Sequence, residues 1–108
     1  IIQANSDIVG MYGSNEAAAS GIVQGVAETG KDVTVVGFDS GKTQIDAIKA
    51  GKEAGAVTQS PVKIGYYTVK AAVAAINGAK LPTVIDSGFA WYDQNNIDDA
   101  GIKANLYE

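Results

Sequence analysis

Residues 33–41 read VTVVGFDSG, and the first six of them form the clearest predicted strand in the sequence. β-Branched residues fill this stretch, and its apolar residues run almost without interruption. That pattern is typical of a strand covered on both faces, as in parallel sheets. The next three residues are a predicted turn, and a short helix is expected over residues 43–50.

Similar units flank this strand on both sides. Residues 8–13 form an apolar run that predicts a buried strand, and the Ala-rich residues 17–29 predict a helix after it. On the other side, residues 54–58 predict a weaker third strand. A long helix should then start at Pro61, which suits a first helical turn. Its apolar residues recur every three or four positions: Val62, Tyr66, Val69, Val73 and Ile76.

After this helix, residues 83–85 predict a fourth strand, and beyond them the pattern dissolves into a short aromatic stretch and a polar tail. Alternating strands and helices imply parallel strands joined by right-handed crossovers. The predicted fold class is therefore α/β, with an open parallel sheet and flanking helices. Because the helices of so thin a sheet cannot cover both of its faces, we expect the chain to be part of a larger body. The alternative is a complete minimal α/β domain.

The composition excludes several kinds of chemistry. The 108 residues include no Cys, no His and no Arg, and all eight positive charges are Lys. Without Cys and His there is no thiol nucleophile, no Ser-His pair and no ordinary zinc or copper site. A net charge of −4 argues against a nucleic-acid partner, because phosphate binding needs a basic surface. No cofactor loop or calcium loop is visible, so we predict a binding protein rather than an enzyme, with no cofactor and no metal.

A polar side chain follows each of the first three predicted strands: Asn15, Asp39 and Gln59. Ligands of open parallel sheets bind just outside the carboxyl ends of the strands, so these three side chains should meet at one edge. Amides both donate and accept hydrogen bonds, and a carboxylate accepts them. Neighbouring sugar hydroxyls are paired donors and acceptors. The sequence therefore predicts a site for a carbohydrate.

Each candidate also has a purely structural interpretation. Asn15 equally fits a helix cap, Asp39 fits a cap of the turn after it, and Gln59 fits an ordinary turn. Trp91 is a candidate for stacking on a sugar ring, with core packing as the alternative. A glycosidase would need two carboxyls across a cleft, and Glu16 could partner Asp39, but Glu16 better fits the start of its own helix.

Several motifs in order resemble a known family, the ribose-binding-protein group of type I periplasmic binding proteins, which are sugar receptors of bacterial ABC importers. The likeness is to the C-terminal half of these receptors and covers nearly the whole chain. Each motif alone is weak, but the ordered set is specific. The motifs are GSNEAA at 13–18, VVGFDS at 35–40, IDAIKAG at 45–51, AVTQSP at 56–61, and, for one branch of the group, FAWYD at 89–93 and NNID at 95–98.

The resemblance implies two similar α/β lobes joined by three hinge strands. Residues 1–59 would form part of the C-terminal lobe as three βα units. Residues 60–90 would hold a hinge crossing plus a helix and a strand of the N-terminal lobe, and residues 91–108 would be a tail that returns across the hinge. Family members contact sugar hydroxyls through an Asn, the Asp of the GFD turn and a Gln before the crossover Pro. These positions correspond to Asn15, Asp39 and Gln59.

The implied function is to bind a sugar or polyol in a cleft between the lobes and deliver it to the membrane permease of an ABC importer. The implied location is the periplasm, or a lipid anchor outside a Gram-positive cell. The implied partners are the sugar, the permease and the remaining part of the receptor. Two alternatives stay open. The chain could come from the ligand-binding core of a LacI-type transcription regulator, or it could be a fragment that binds nothing alone.

Overall fold

The computed structural model describes residues 1–107, in which strands and helices alternate along most of the chain. In chain order the elements are β1 (Gly10–Tyr12), α1 (Glu16–Thr29), β2 (Thr34–Phe38), α2 (Lys42–Lys49), β3 (Gly55–Gln59), α3 (Pro61–Ile76), β4 (Phe89–Tyr92) and α4 (Ala100–Lys103).

The four strands form one sheet in the order β1-β2-β3-β4. The first three are parallel, with Tyr12 opposite Val36 and Phe38 opposite Val57. The predicted fold class, an α/β fold with a parallel open sheet and flanking helices, is confirmed. The fourth strand departs from the pattern, because β4 runs antiparallel to β3 and places Phe89 opposite Gln59.

The prediction of a strand at residues 83–85 is wrong for this structure. These residues are exposed and lie outside any strand. β-Branched residues favour a strand only where a neighbouring strand can pair with them, and within residues 1–107 none does so. The strand forms instead at Phe89–Tyr92, beside β3, where Gly55 leaves room for the Trp91 indole. A Cβ at Gly55 would collide with that ring and lie 2.7 Å from the carbonyl oxygen of Tyr92.

Both ends of α1 are capped, and the N-terminal cap is the residue for which the sequence predicts a cap. Asn15 has an extended backbone, and its Oδ1 accepts a hydrogen bond of 2.8 Å from the backbone N–H of Ala18. At the other end Gly30 adopts a left-handed conformation with φ of 63°, and its N–H donates to the carbonyl of Val26 at 3.1 Å. The strand-to-helix turn that contains Asn15 is therefore fixed by local hydrogen bonds.

The helices α1 and α2 pack on the same face of the sheet, and the core lies beneath them. Side chains alternate between the faces of a strand, so this face receives every second residue. The cluster of buried apolar residues consists of Ile45, Ile48, Ala56, Tyr92 and Ile97, with Ile102 and Leu106 packed against it.

The opposite face of the sheet is not buried within residues 1–107. We call it the open face, and it carries Tyr12, Val36, Phe38, Val57, Phe89 and Trp91. Phe89 is 77% exposed and Trp91 is 42% exposed, whereas Tyr92 on the helix-covered face is fully buried. The expectation that the helices of this chain cannot cover both faces is confirmed for the described residues.

Helix α3 projects from the body of the chain, whose Cα atoms extend over 57 × 30 × 17 Å. None of its residues is buried. Its predicted apolar stripe is largely exposed, with Val62, Tyr66, Val69, Val73 and Ile76 all more than half accessible. No helix of the described residues combines the length and the apolar character needed to cross a bilayer.

Candidate functional site

Asp39 lies at the carboxyl end of β2 and connects three elements of the fold. Its Oδ1 accepts a hydrogen bond of 3.1 Å from Gln59 Nε2, at the end of β3. Its Oδ2 accepts a hydrogen bond of 3.3 Å from the backbone N–H of Glu16, at the start of α1. The carboxylate is half-buried between these two partners. The structure therefore places Asp39 at the centre of the predicted edge.

The backbone of Asp39 is strained. Its φ is 81°, and the other described residues with a positive φ are all glycines. A residue other than glycine in this conformation costs on the order of 1–3 kcal/mol, and such strain is concentrated at functional sites. The surrounding hydrogen bonds hold Asp39 in this conformation and direct its carboxylate between β3 and α1.

Asn15 and Gln59 lie on either side of Asp39 and are exposed. The structure brings the three predicted side chains to one edge. The Gln59 side chain donates a hydrogen bond to Asp39, and Asn15 immediately precedes Glu16, whose backbone N–H also donates to Asp39. Asn15 Oδ1 is used in the helix cap, as its structural interpretation predicts. Within residues 1–107, Asn15 Nδ2 and Gln59 Oε1 make no hydrogen bond. One amide donor group and one amide acceptor are therefore available for a ligand. Asp39 caps the start of α1 rather than the turn that follows it.

Tyr92 supports Asp39 from below, and sequence reasoning missed this contact. The Tyr92 hydroxyl donates a hydrogen bond of 2.8 Å to the carbonyl oxygen of Asp39. The ring is fully buried. Burial raises the pKa of the Tyr92 phenol above its usual value. The phenol therefore remains a neutral donor across the physiological pH range.

Ser40, the residue after Asp39, is tied to the C-terminal tail. Its buried Oγ donates to the carbonyl of Asn105 at 3.1 Å and accepts a hydrogen bond of 2.8 Å from Thr58 Oγ1. The backbone N–H of Tyr107 donates to the carbonyl of Ser40 at 3.1 Å. Because the tail is distant in sequence, no local pattern could have revealed these contacts. They fix the turn that carries Asp39.

Removing the Tyr92 hydroxyl should destabilise this turn. We expect Tyr92→Phe to lower the free energy of unfolding by about 1–2 kcal/mol, because the Asp39 carbonyl loses a buried donor. Urea denaturation of the full-length protein measures the change. Glu28→Gln is the control, since the Glu28 side chain is exposed on α1, away from this turn. Equal stability of Tyr92→Phe and the unsubstituted protein would show that this hydrogen bond does not hold the turn.

Trp91 does not reach the edge that carries the three polar residues. It lies opposite Val57, nearer the start of β3, and its ring covers Gly55. Its indole N–H donates to Asp93 Oδ2 at 2.9 Å, and this hydrogen bond lowers the pKa of the Asp93 carboxyl. The aromatic residue opposite Gln59 is Phe89, whereas the residue predicted from the sequence to stack on a sugar ring is Trp91. The pairing of Phe89 with Gln59 could not be predicted, because no strand was predicted at residues 89–92.

The edge offers groups for holding a ligand. Glu16, the other half of the glycosidase alternative, has its carboxylate against Gly41, where a Cβ would collide with it. Within residues 1–107 no three acidic side chains gather into a group that could hold a metal ion. What this arrangement provides is hydrogen bonding to hydroxyl groups, through an amide donor, an amide acceptor and the carboxylate.

The similarity of this chain to known proteins extends over most of its length. A sequence profile described as the periplasmic binding protein domain matches residues 1–80. Ribose import binding protein RbsB of Bacillus subtilis is 31% identical over 87 residues, which are 81% of this chain and 28% of that protein. The chain thus spans less than a third of the length of this curated relative.

Two solved structures share the fold at high similarity. An ABC transporter solute binding protein from Agrobacterium vitis, bound with α-D-tagatopyranose, superposes with a TM-score of 0.90 at 32% identity and covers 99% of this chain and 37% of its own. A protein from Brachyspira murdochii, described as an ABC transporter, LacI family transcriptional regulator, superposes with a TM-score of 0.84 at 38% identity. That match covers 99% of this chain and 38% of the other.

Proposed function

The chain belongs to the periplasmic binding protein domain family, and on that premise we propose that it forms the C-terminal part of a receptor that delivers sugar to an ABC importer. The resemblance found in the sequence motifs is confirmed by this family membership. The prediction of a binding protein rather than an enzyme agrees with the relatives, which are named for binding and transport. The sugar and its delivery to a permease remain proposals for this chain.

The observation that carries the proposal is the pair formed by Asp39 and Gln59 at the end of two neighbouring strands. A carboxylate whose two oxygens already hold an amide and a helix N–H has a fixed direction. Carboxylate oxygens have further lone pairs, so Asp39 can accept from sugar hydroxyls without giving up these contacts. Asn15 Nδ2 and Gln59 Oε1 add a donor and an acceptor. This set complements adjacent hydroxyl groups of a sugar or polyol.

We propose the division into lobes that the motifs imply. Residues 1–59 contribute to the C-terminal lobe, residues 60–90 contribute to the N-terminal lobe, and residues 91–108 return across the hinge. Two features support this division: the exposed apolar stripe of α3, and the antiparallel return of β4 beside β3. The ligand would then lie between the lobes. It favours the closed form only through contacts that this form adds.

The importer would recognise the closed, loaded receptor at the membrane permease. A periplasmic location, or a lipid anchor outside a Gram-positive cell, is the location that such a role requires. The formal net charge of −4 argues against a nucleic-acid partner, so we propose the sugar, the permease and the rest of the receptor as the partners.

A thermal-shift screen of pentoses, hexoses and polyols on the full-length protein tests the proposal. A sugar at 100 times its dissociation constant stabilises the folded state by about 2.7 kcal/mol, so a cognate sugar should raise Tm by several degrees. A non-sugar osmolyte at the same concentration is the control. A flat response to every sugar at millimolar concentration would reject the function.

A LacI-type regulator core is the second candidate, and the match to the protein from Brachyspira murdochii favours it. Such a core would also bind a small ligand at this edge, so the thermal-shift screen does not separate the two. DNA binding by the full-length protein separates them. A receptor shows no sugar-dependent DNA binding, whereas a regulator does.

A further inference from the structure

Two polar side chains, Gln44 of α2 and Glu53 before β3, are buried together beneath the sheet. Gln44 is 1% exposed and Glu53 is 2% exposed. Gln44 Nε2 donates a hydrogen bond of 2.8 Å to Glu53 Oε1. Gly37 of β2 makes room for them, since a Cβ at that position would collide with both side chains. The pair therefore packs against Gly37 of β2, which is two residues before Asp39. It lies between the sheet and the helices next to the binding edge.

Each side chain of this pair has one buried atom without a hydrogen-bond partner. These atoms are Gln44 Oε1 and Glu53 Oε2. If Glu53 were ionised, both would be acceptors, and two acceptors would be left in the interior with no donor. Such unpaired buried groups are costly and rare. One proton on Glu53 converts one of the two acceptors into a donor.

Within the described chain, no salt bridge from a lysine compensates an ionised Glu53. The ion pairs within residues 1–107 are exposed and involve other acids: Lys42–Asp46, Lys49–Asp98 and Lys103–Asp98. The Tyr92 phenol of β4 interacts electrostatically with Glu53, and the other titratable groups that act on this phenol are Tyr107, Glu16 and Asp39, none of which is positively charged. Burial raises the pKa of the Glu53 carboxyl, and the Gln44 hydrogen bond opposes this in part. An isolated buried carboxylate of this kind is unfavourable.

We propose that Glu53 is a neutral carboxylic acid in the folded protein and that its hydroxyl donates to Gln44 Oε1, closing an acid–amide pair with two hydrogen bonds. The pair joins α2 to the chain entering β3 directly under β2. It satisfies both unpaired atoms without any further group. It also makes the packing beneath the binding edge dependent on pH.

The direction of this dependence follows from linkage. The folded pKa of Glu53 lies above its unfolded value, so the pair contributes its full stability below the unfolded pKa. That contribution is lost as pH rises through the folded pKa. Within that window the unfolding equilibrium constant of the protein rises tenfold per pH unit relative to a protein in which this residue does not titrate.

Glu53→Gln provides that reference, because a glutamine at this position offers an N–H donor to Gln44 Oε1 at every pH. The full-length protein and E53Q are unfolded with urea at a series of pH values. We expect the unfolding constant of the unsubstituted protein, divided by that of E53Q, to be constant below about pH 4.5. Above that pH the ratio should grow tenfold per pH unit until the folded pKa of Glu53 is reached, and then level off. Glu28→Gln, at an exposed position of α1, is the control and should run parallel to the unsubstituted protein. If the stability of E53Q varied with pH in the same way as that of the unsubstituted protein, the proposal would be overturned.

A second measurement needs only the unsubstituted protein and stands even if E53Q does not fold. Carbon NMR of the full-length protein with labelled Glu side chains follows each carboxyl through the titration. One Glu carboxyl should keep the chemical shift of the protonated acid to a higher pH than the other Glu carboxyls do, because burial raises its pKa. If every Glu carboxyl titrates in the ordinary range, the neutral acid is excluded.

Discussion

Asp39→Gly is expected to remove most of the sugar affinity of the full-length protein while leaving its fold stable. Glycine accepts the φ of 81° without strain, so the substitution deletes the carboxylate and spares the backbone. Sugar hydroxyls would then lie unpaired in a dry cleft. The loss should be on the order of 2–4 kcal/mol, which is roughly 30- to 700-fold in the dissociation constant.

Isothermal titration calorimetry with the sugar found in the thermal-shift screen measures this loss. Asp39→Asn is the matched variant, because asparagine tolerates positive φ and keeps one oxygen for the contact with Gln59. It should lose less affinity than Asp39→Gly. Thermal unfolding of both variants without sugar shows whether the fold survives. Unchanged affinity in a folded Asp39→Gly variant would reject Asp39 as a sugar contact, and with it the proposed site.

Gly13→Ala should have the largest effect on stability. A Cβ at Gly13 would lie 2.5 Å from Ala19 Cα and 2.8 Å from Ala19 Cβ. Both contacts are far too short, and one is with the backbone of α1, which cannot move without displacing Asn15. Gly13 also donates its backbone N–H to the carbonyl of Val36 at 2.9 Å. We expect a loss of about 3 kcal/mol in the free energy of unfolding, at the upper end for overpacking.

Urea denaturation of the full-length protein measures this loss. Gly101→Ala is the control, since no atom lies within 4 Å of a Cβ at this position of α4. It should be neutral or stabilise slightly, because alanine favours a helix. If the two substitutions had equal effects, the close approach of α1 to the first strand would not constrain residue 13.

The strands and helices that were predicted from sequence are those with a strong local pattern. β2 is a nearly continuous β-branched run, and α3 has a regular apolar period, so each could be placed without knowing its neighbours. The meeting of Asn15, Asp39 and Gln59 followed from the parallel order of three strands and the position of each residue at a strand end. These inferences use short-range patterns and one general rule of sheet topology.

What sequence reasoning missed depends on contacts between distant parts of the chain. Tyr92 bonds to Asp39 across 53 residues, and Ser40 bonds to Asn105 across 65. β4 exists because β3 offers it a pairing edge, whereas the more strand-like residues 83–85 have no such neighbour in the described chain. Glu53 looks like a surface charge in sequence, and only its contact with Gln44 reveals a buried group.

The open face of the sheet has a practical consequence for handling this stretch by itself. Apolar surface of this extent attracts other molecules and favours association. Produced in isolation, the stretch would therefore be poorly soluble and prone to stick to itself through the bare aromatic and aliphatic side chains. If the rest of the proposed receptor covers this face, adding that part as a second polypeptide should restore solubility and allow the two pieces to assemble.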